Sequence, residues 1–421
     1  MTFWANRAAA AANLRLFIPG EGWKSYSDEV VEDQKVETIG SKRLIESVFL
    51  NALNATNLLL LTGAGASFAA KNKPTKPQPA GMAALWTAVQ AKVGDNEFKA
   101  ICDQFPSAPI DSNIERLLTL CKLYLELNEK ADDKVTKKIA QFVVDAEQTI
   151  LATVDFIDPD TGLDAHASII QKVGRRGIRK PRTRFFTTNY DLCFEETARR
   201  HRFTIIDGFS HALDQVYDRA HFDHDIVRRE QGKDNPDYVE NVFHLYKLHG
   251  SIDWRRINGE IVRSRDTKGE PVLIYPRSSK YQESFEAPYL DMIGALQAAL
   301  REPDTAVMIS GFGFNDDHLS KPILSAVEAN MSLRLIVCDP VFVDDSVLNN
   351  DEHTAPDGEA PNNKFLKAFL RLARGGDPRV HLMNGRFEDM ALALPDLVGE
   401  TDRERHAIRV RTLREDVDKP T

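Results

Sequence analysis

A short loop, Gly63-Ala64-Gly65-Ala66-Ser67, follows directly on the apolar run Asn57–Thr62 (NLLLLT). Glycines two apart let a backbone turn tightly after a strand and approach a pyrophosphate, whose charge is favoured at the N-terminus of a following helix. The Ser67 hydroxyl would add a donor. The same residues also serve an ordinary strand-to-helix turn. No Gly-Lys-Ser/Thr follows, so the loop is not a triphosphate cradle of the Walker type. A hydride-transferring enzyme would end a second strand in Asp or Glu about 20 residues further on. Here that position falls in PAGMAALW (79–86), which reads as loop and helix start, so hydride transfer is disfavoured.

Two further clusters carry polar side chains at the ends of apolar runs. In Phe185-Phe186-Thr187-Thr188-Asn189-Tyr190-Asp191 an amide and a carboxylate stand two residues apart, where an open α/β sheet presents its ligands. In Tyr246-Lys247-Leu248-His249-Gly250-Ser251 one histidine precedes a glycine. Taken singly, a turn asparagine and a satisfied core histidine are the commoner uses of such residues.

These clusters need a scaffold, and the apolar pattern supplies one. Residues 57–62, 184–187, 204–206, 272–275, 305–310 and 333–338 read as buried strands, with 379–383 as a seventh. Several lack polar alternation, as a parallel sheet covered on both faces requires. Helical stretches such as 41–55, 289–301 and 316–329 fall between them. The expected fold is α/β, a Rossmann-like doubly wound parallel sheet. Residues from about 82 to 180 show helical periodicity and no convincing strand, so they form a helical insertion or subdomain between the first two strands. Residues 207–245 read as an irregular connection, and 349–363 as an exposed polar loop. The organisation expected is an N-terminal arm over 1–40, a nucleotide-binding domain over 41–345, and a loop with a C-terminal strand and helix over 346–421.

In this order the motifs GAGAS, TTNYD and LHGS resemble the signature of the sirtuin family: a GAG-x-S loop, a T-x-N-x-D strand end and a His-Gly pair. The later Ser310-Gly311-Phe312-Gly313-Phe314, Asp316-Asp317 and Val337-Cys338-Asp339-Pro340 look like the strand ends that close that family's adenosine and ribose pocket. The resemblance runs over about 55–340. It implies binding of NAD, with Gly63, Ala64, Gly65 and Ser67 around the diphosphate. Thr188 and Asp191 would stand beside it, Gly311, Phe312 and Asp316 on the adenosine side, and Asp339 on a ribose hydroxyl. Asp191 and Asp316 serve equally well as helix caps. Protein-deacylating sirtuins carry a zinc module built from two Cys pairs after the His-Gly motif. Cys102, Cys121, Cys193 and Cys338 are scattered and cannot supply it, so no metal site and no zinc are expected. The chain is similar instead to the zinc-free sirtuin-like branch of bacterial antiphage systems, whose activity is NAD hydrolysis. Asn113-Ile114-Glu115-Arg116-Leu117-Leu118 also looks like that branch. Size and layout resemble the sirtuin-like subunit that works with a HerA-type hexameric ATPase, which implies a cytoplasmic homo-oligomer as effector.

The implied catalytic residues are Asn189, holding the ribose or the attacking water, and His249, contacting ribose hydroxyls and accepting a proton as water adds. The latter suits a side chain that titrates near neutrality. Nicotinamide leaves as a neutral base from a cationic pyridinium, so no general acid is needed. A zinc-free deacylase and a non-catalytic NAD- or ADP-ribose-sensing scaffold for a partner ATPase are the alternatives.

Composition sets the outer bounds. A chain of 421 residues with 42% hydrophobic and 28% charged residues is long enough for a large core enclosing a cleft. Its net charge of -9 argues against a surface gripping nucleic acid throughout. A local contact through the basic segment 172–184 stays open beside the commoner solvated loop. No run of 18 apolar residues predicts a membrane span, and residues 1–17 lack the features of a signal peptide. His221-Phe222-Asp223-His224-Asp225 has metal-ligand residue types without a third ligand, and reads as surface loop. The arginines at 403–414 read as decorating a helix.

Overall fold

The run Asn57–Thr62 forms a strand with every residue buried, and Thr305–Ser310 beside it is buried throughout as well. The computed structural model describes residues 11–396 except 28, 33–34, 39–40, 107, 109, 130, 132, 175, 177–179, 230–236, 266–268, 274–286 and 349–353. The expected arginine-bearing helix at 403–414 lies outside the described residues.

Ten strands make one sheet, in the order Thr354–Ala355, Gly22–Ser25, Arg15–Ile18, Val380–Asn384, Arg334–Cys338, Thr305–Ser310, Asn57–Thr62, Arg184–Thr187, Val242–Lys247 and Thr204–Ile206. The seven from Val380–Asn384 to Thr204–Ile206 are parallel, and the other three add on antiparallel. Alternate residues of each strand feed opposite faces. Leu59, Leu61, Val307, Ile309, Leu335 and Val337 enter one core cluster, while Leu58, Leu60, Ala306, Met308 and Ile336 enter the other. With period-two side chains, this can only be a sheet covered on both sides. The fold is a mixed α/β, Rossmann-like architecture with a large, mostly parallel central sheet.

The strand order reverses beside Asn57–Thr62. From there the chain moves one way to Arg184–Thr187 and the other way to Thr305–Ser310. The carboxyl ends of strands at such a switch point form a ligand crevice in open α/β sheets.

Between those strands, helices Met82–Val93, Asp95–Cys102, Ile114–Leu127, Lys134–Val154 and Asp164–Gly174 fill the region expected to be helical. The first four build their own apolar cluster around Leu85, Phe98, Leu118 and Phe142, which also takes in Tyr190, beyond the end of Arg184–Thr187, and Ile252.

Several expectations are corrected. Residues 15–18 and 22–25, read as part of an arm, are strands of the central sheet. At four residues each they give too little alternation to detect. Val242–Lys247, at the end of the stretch read as irregular, is an interior strand. The strand expected at 272–275 is Glu270–Leu273, and it belongs to a separate three-stranded antiparallel sheet with Gly250–Ile257 and Glu260–Arg263. The strand expected at 379–383 is Val380–Asn384, which lies inside the central sheet between Arg334–Cys338 and Arg15–Ile18, and helix Phe387–Ala393 follows it.

Candidate functional site at the sheet switch point

Parallel pairing sets Cys338, Ser310, Thr62, Thr187 and Lys247 side by side across five strands. The segments that follow them therefore emerge together: Asp339, Gly311-Phe312, Gly63–Ser67, Thr188–Asp191 and Leu248-His249. Backbone bonds carry the alignment past the strand ends, from Thr188 N to Thr62 O at 3.1 Å and from Leu248 N to Thr187 O at 2.8 Å.

The glycine loop packs on Gly311. The Gly65 N–H donates to Gly311 O at 2.9 Å, and a Cβ on Gly65 would stand 2.5 Å from Gly311 Cα. Gly311 has φ +69°, and a Cβ there would stand 2.4 Å from Ala66 N. Two backbones touch here, which only glycines allow. Residues Ala64–Ser67 of the loop themselves form a helix of a single turn, so the helix-dipole support expected for a pyrophosphate is slight.

Asn189 joins the loop directly. Its Nδ2 donates to Gly63 O at 2.9 Å and to Ser67 Oγ at 2.7 Å. A backbone carbonyl can only accept, so the amide's nitrogen must face it. The amide oxygen is left for something else. The single Ser67 O–H donates to Asp191 Oδ2, and the donor expected from Ser67 for a phosphate is therefore committed elsewhere. Asp191 Oδ1 accepts from Cys193 N at 2.9 Å, at the start of helix Cys193–His201. Asp191 thus ties the Ser67 hydroxyl to the backbone at the start of that helix, one residue before its N-cap Leu192. Lys247, 2% exposed, donates to the carbonyls of Tyr190 and Asp191 and to Glu195 Oε1 at 3.1 Å. A buried ammonium bonded this way braces the 190–191 backbone.

His249 occupies the junction between the two sheets. Gly250 follows with φ +88°, and a Cβ there would stand 2.1 Å from Val272 O. The His-Gly pair is thus the point where the chain leaves the central sheet for the small one. His249 is buried, its Nε2 has no hydrogen-bond partner among the described residues, and burial pushes its imidazole down to about 3. The expectation of a group poised near neutrality is corrected: desolvation keeps this ring neutral. The His318 ring stacks 5.6 Å away, and burial together with His249 lowers it to about 4. The Tyr190 ring lies 6.5 Å from His249.

The remaining predicted residues divide. Asp316 caps helix Asp317–Ala329 by position but makes no side-chain cap bond. Its carboxyl is raised by burial and by Asp317, against His318 and Arg116. Asp339 is 9% exposed, accepts from Val341 N at 3.0 Å and is raised by burial to about 6. The Phe312 side chain is in the core against Phe314, so only its backbone faces the crevice. Thr188 Oγ1 lies against Gly63. Among the described residues, no group of three or more His, Cys, Asp or Glu could hold a metal ion, and no helix is long and apolar enough to cross a membrane. A cavity of about 640 Å³, lined in part by Ser210, Tyr217, His221 and Arg256, includes none of the crevice residues.

Several described basic residues of 172–184 are tied to the protein. Lys172 donates to Ala391 O and Lys180 to Asn54 O, while Arg182 pairs with Asp225 and Arg184 with Glu302. Arg176 donates to the carbonyls of Leu53, Ala55 and Thr56.

Residues 183–351 match the SIR2-like domain. The match supports a sirtuin-like family and NAD-dependent activity in general, since SIR2-like domains are NAD-using enzymes. It spans TTNYD, LHGS and both later strand ends, and lies downstream of the glycine loop. No curated protein matches the chain.

Sequence reasoning gave no role to Glu115, Tyr190, Lys247 or His318. His318 carried a signal, since it follows a buried strand and a glycine turn. Lys247 carried none.

Proposed function

We propose that this chain hydrolyses NAD+, cleaving the nicotinamide–ribose bond to give nicotinamide and ADP-ribose. The observation that carries the reading is a pair of polar atoms at adjoining strand ends with no hydrogen-bond partner among the described residues: the Asn189 amide oxygen, its nitrogen bound into the glycine loop, and the buried His249 Nε2. Breaking this bond leaves a flattened cationic sugar, and the protein's work is to position and stabilise it. The Asn189 oxygen can accept from a ribose hydroxyl or from the attacking water. A neutral His249 offers a lone pair to a ribose hydroxyl and adds no positive charge beside the developing cation. Its low basicity makes it a hydrogen-bond acceptor more than a proton sink.

Within this reading the chain is a homo-oligomeric, cytoplasmic effector of a bacterial antiphage complex acting with a HerA-type hexameric ATPase. That part rests on the resemblance of the ordered motifs and of NIERLL. The test is nicotinamide release by wild type, Asn189→Ala and His249→Ala, with and without a HerA-type ATPase and with and without an acylated peptide. Each substitution is expected to lower turnover by roughly a hundredfold or more, with the fold retained by circular dichroism. Release that requires the peptide would favour a deacylase. Tight NAD binding without turnover, even with the ATPase, would favour the scaffold.

A further inference from the structure

A hydrogen bond ties the helical insertion to the crevice. Glu115 stands in the first turn of helix Ile114–Leu127, whose N-cap Asn113 accepts from Arg116 N at 3.1 Å. The Tyr190 hydroxyl donates to Glu115 Oε1 at 2.7 Å. Tyr190 sits between Asn189 and Asp191, and its ring is buried in the insertion's apolar cluster with Ile114, Leu118 and Ile252. Its carbonyl accepts from Ile252 N at 3.0 Å and from Lys247 Nζ at 3.2 Å. The residue beside the catalytic asparagine is therefore gripped by its ring and hydroxyl from the insertion and by its carbonyl from the sheet.

We propose that Glu115 is a positioning residue: through the Tyr190 hydroxyl it fixes the segment 189–191 that aims the Asn189 amide, so that the insertion sets the turnover of the site. The proposal rests on the NAD-hydrolase reading for its kinetic consequence and on geometry alone for its structural one. Asp316 acts on the Glu115 carboxyl, which burial and then Asp316 push up to about 7, against the Tyr190 hydroxyl; Asp316 itself feels Arg116. A hydroxyl donor is thus needed most at and above neutrality, when that carboxyl carries charge in a half-buried place.

The experiment compares full-length wild type with Glu115→Ala, Glu115→Gln, Tyr190→Phe and the Glu115→Ala/Tyr190→Phe double variant. Hydrogen–deuterium exchange is read at Asp191 and Ile252, and nicotinamide release from NAD gives kcat and KM. Glu115→Ala and Tyr190→Phe are expected to speed exchange at both amides and to lower kcat about tenfold with KM within twofold. The double variant should be no worse than either single one, as for two halves of one interaction. Glu115→Gln, whose amide oxygen still accepts from the hydroxyl, should stay near wild type in both readouts. Unchanged exchange in Glu115→Ala overturns the proposal whatever turnover does, and so do additive losses in the double variant. Faster exchange with a wild type that never hydrolyses NAD keeps the positioning role and removes the hydrolase reading.

Discussion

Gly311→Ala tests the contact between the glycine loop and the opposite strand end. Two costs add. At φ +69° a side chain enters the left-handed region, worth about 1–2 kcal/mol. The new Cβ would also stand 2.4 Å from Ala66 N, 2.7 Å from Gly65 C and 3.0 Å from Gly65 Cα. All three are backbone atoms and cannot rotate away, so relief requires the loop to move, at an overpacking cost of about 1–3 kcal/mol. The matched control is Gly376→Ala, at φ +78° with nothing within 4 Å of its Cβ position, which meets the conformational cost alone. An unfolding entropy of about 2.1 cal/mol/K per residue over 421 residues gives about 0.9 kcal/mol per degree. Differential scanning calorimetry should therefore show Gly311→Ala melting about 2–6 °C below wild type and Gly376→Ala about 1–2 °C below. Isothermal titration with NAD should show weakened binding only for Gly311→Ala. Equal melting shifts in the two variants, with NAD binding intact in both, would refute the claim that two backbones meet at the crevice.

Two stability predictions follow from buried polar groups. His166 is fully buried between Phe194 and Phe387, and burial lowers it to about 4. The unfolded chain takes up that proton below about 6.5 while the folded chain resists, so stability is complete above 6.5 and falls as the pH drops toward 4. His166→Leu should hold its melting temperature at pH 7 and lose less of it between pH 6.5 and 4; an acid limb identical to wild type would count against this. Arg176 ties the carbonyls of Leu53, Ala55 and Thr56 at the entrance to Asn57–Thr62. Arg176→Ala should lower stability by about 2–4 kcal/mol in urea unfolding, since charge-assisted bonds contribute about 1.5–3 kcal/mol each without adding fully; a loss under about 0.5 kcal/mol would contradict the clamp.

What the sequence made legible follows from what is local. Asn57–Thr62 and Thr305–Ser310 announce themselves because all six residues of each are buried, which leaves an unbroken apolar run. Helix Lys134–Val154 shows its periodicity over 21 residues. Val242–Lys247 hides because His244 and Lys247 interrupt the run, and Lys247 is tolerated inside only through Glu195 and two carbonyls supplied by another segment. The crevice divides the same way. Asn189, His249 and the glycine loop stand in compact motifs, but their electrical state does not. The commitment of the Ser67 hydroxyl to Asp191 spans 124 positions, and the Tyr190–Glu115 bond spans 75. The low basicity of His249 comes from walls that no neighbouring letter records.

The placement of Val380–Asn384 between Arg334–Cys338 and Arg15–Ile18 has a consequence for how the molecule is made. Arg15 pairs with Asn384 and Leu16 with Met383, and Asn13 Nδ2 donates to Asp389 Oδ1 at 3.3 Å. The hairpin of Arg15–Ile18 and Gly22–Ser25 meets Thr354–Ala355 on one side, but it joins the parallel strands only once residue 384 has been synthesised. Until then Arg334–Cys338 also presents a raw edge, open to pairing with another chain. One strand seals both at once, so this half of the sheet closes in a single step, with the loop-closure entropy of the chain between residues 15 and 384 charged to it.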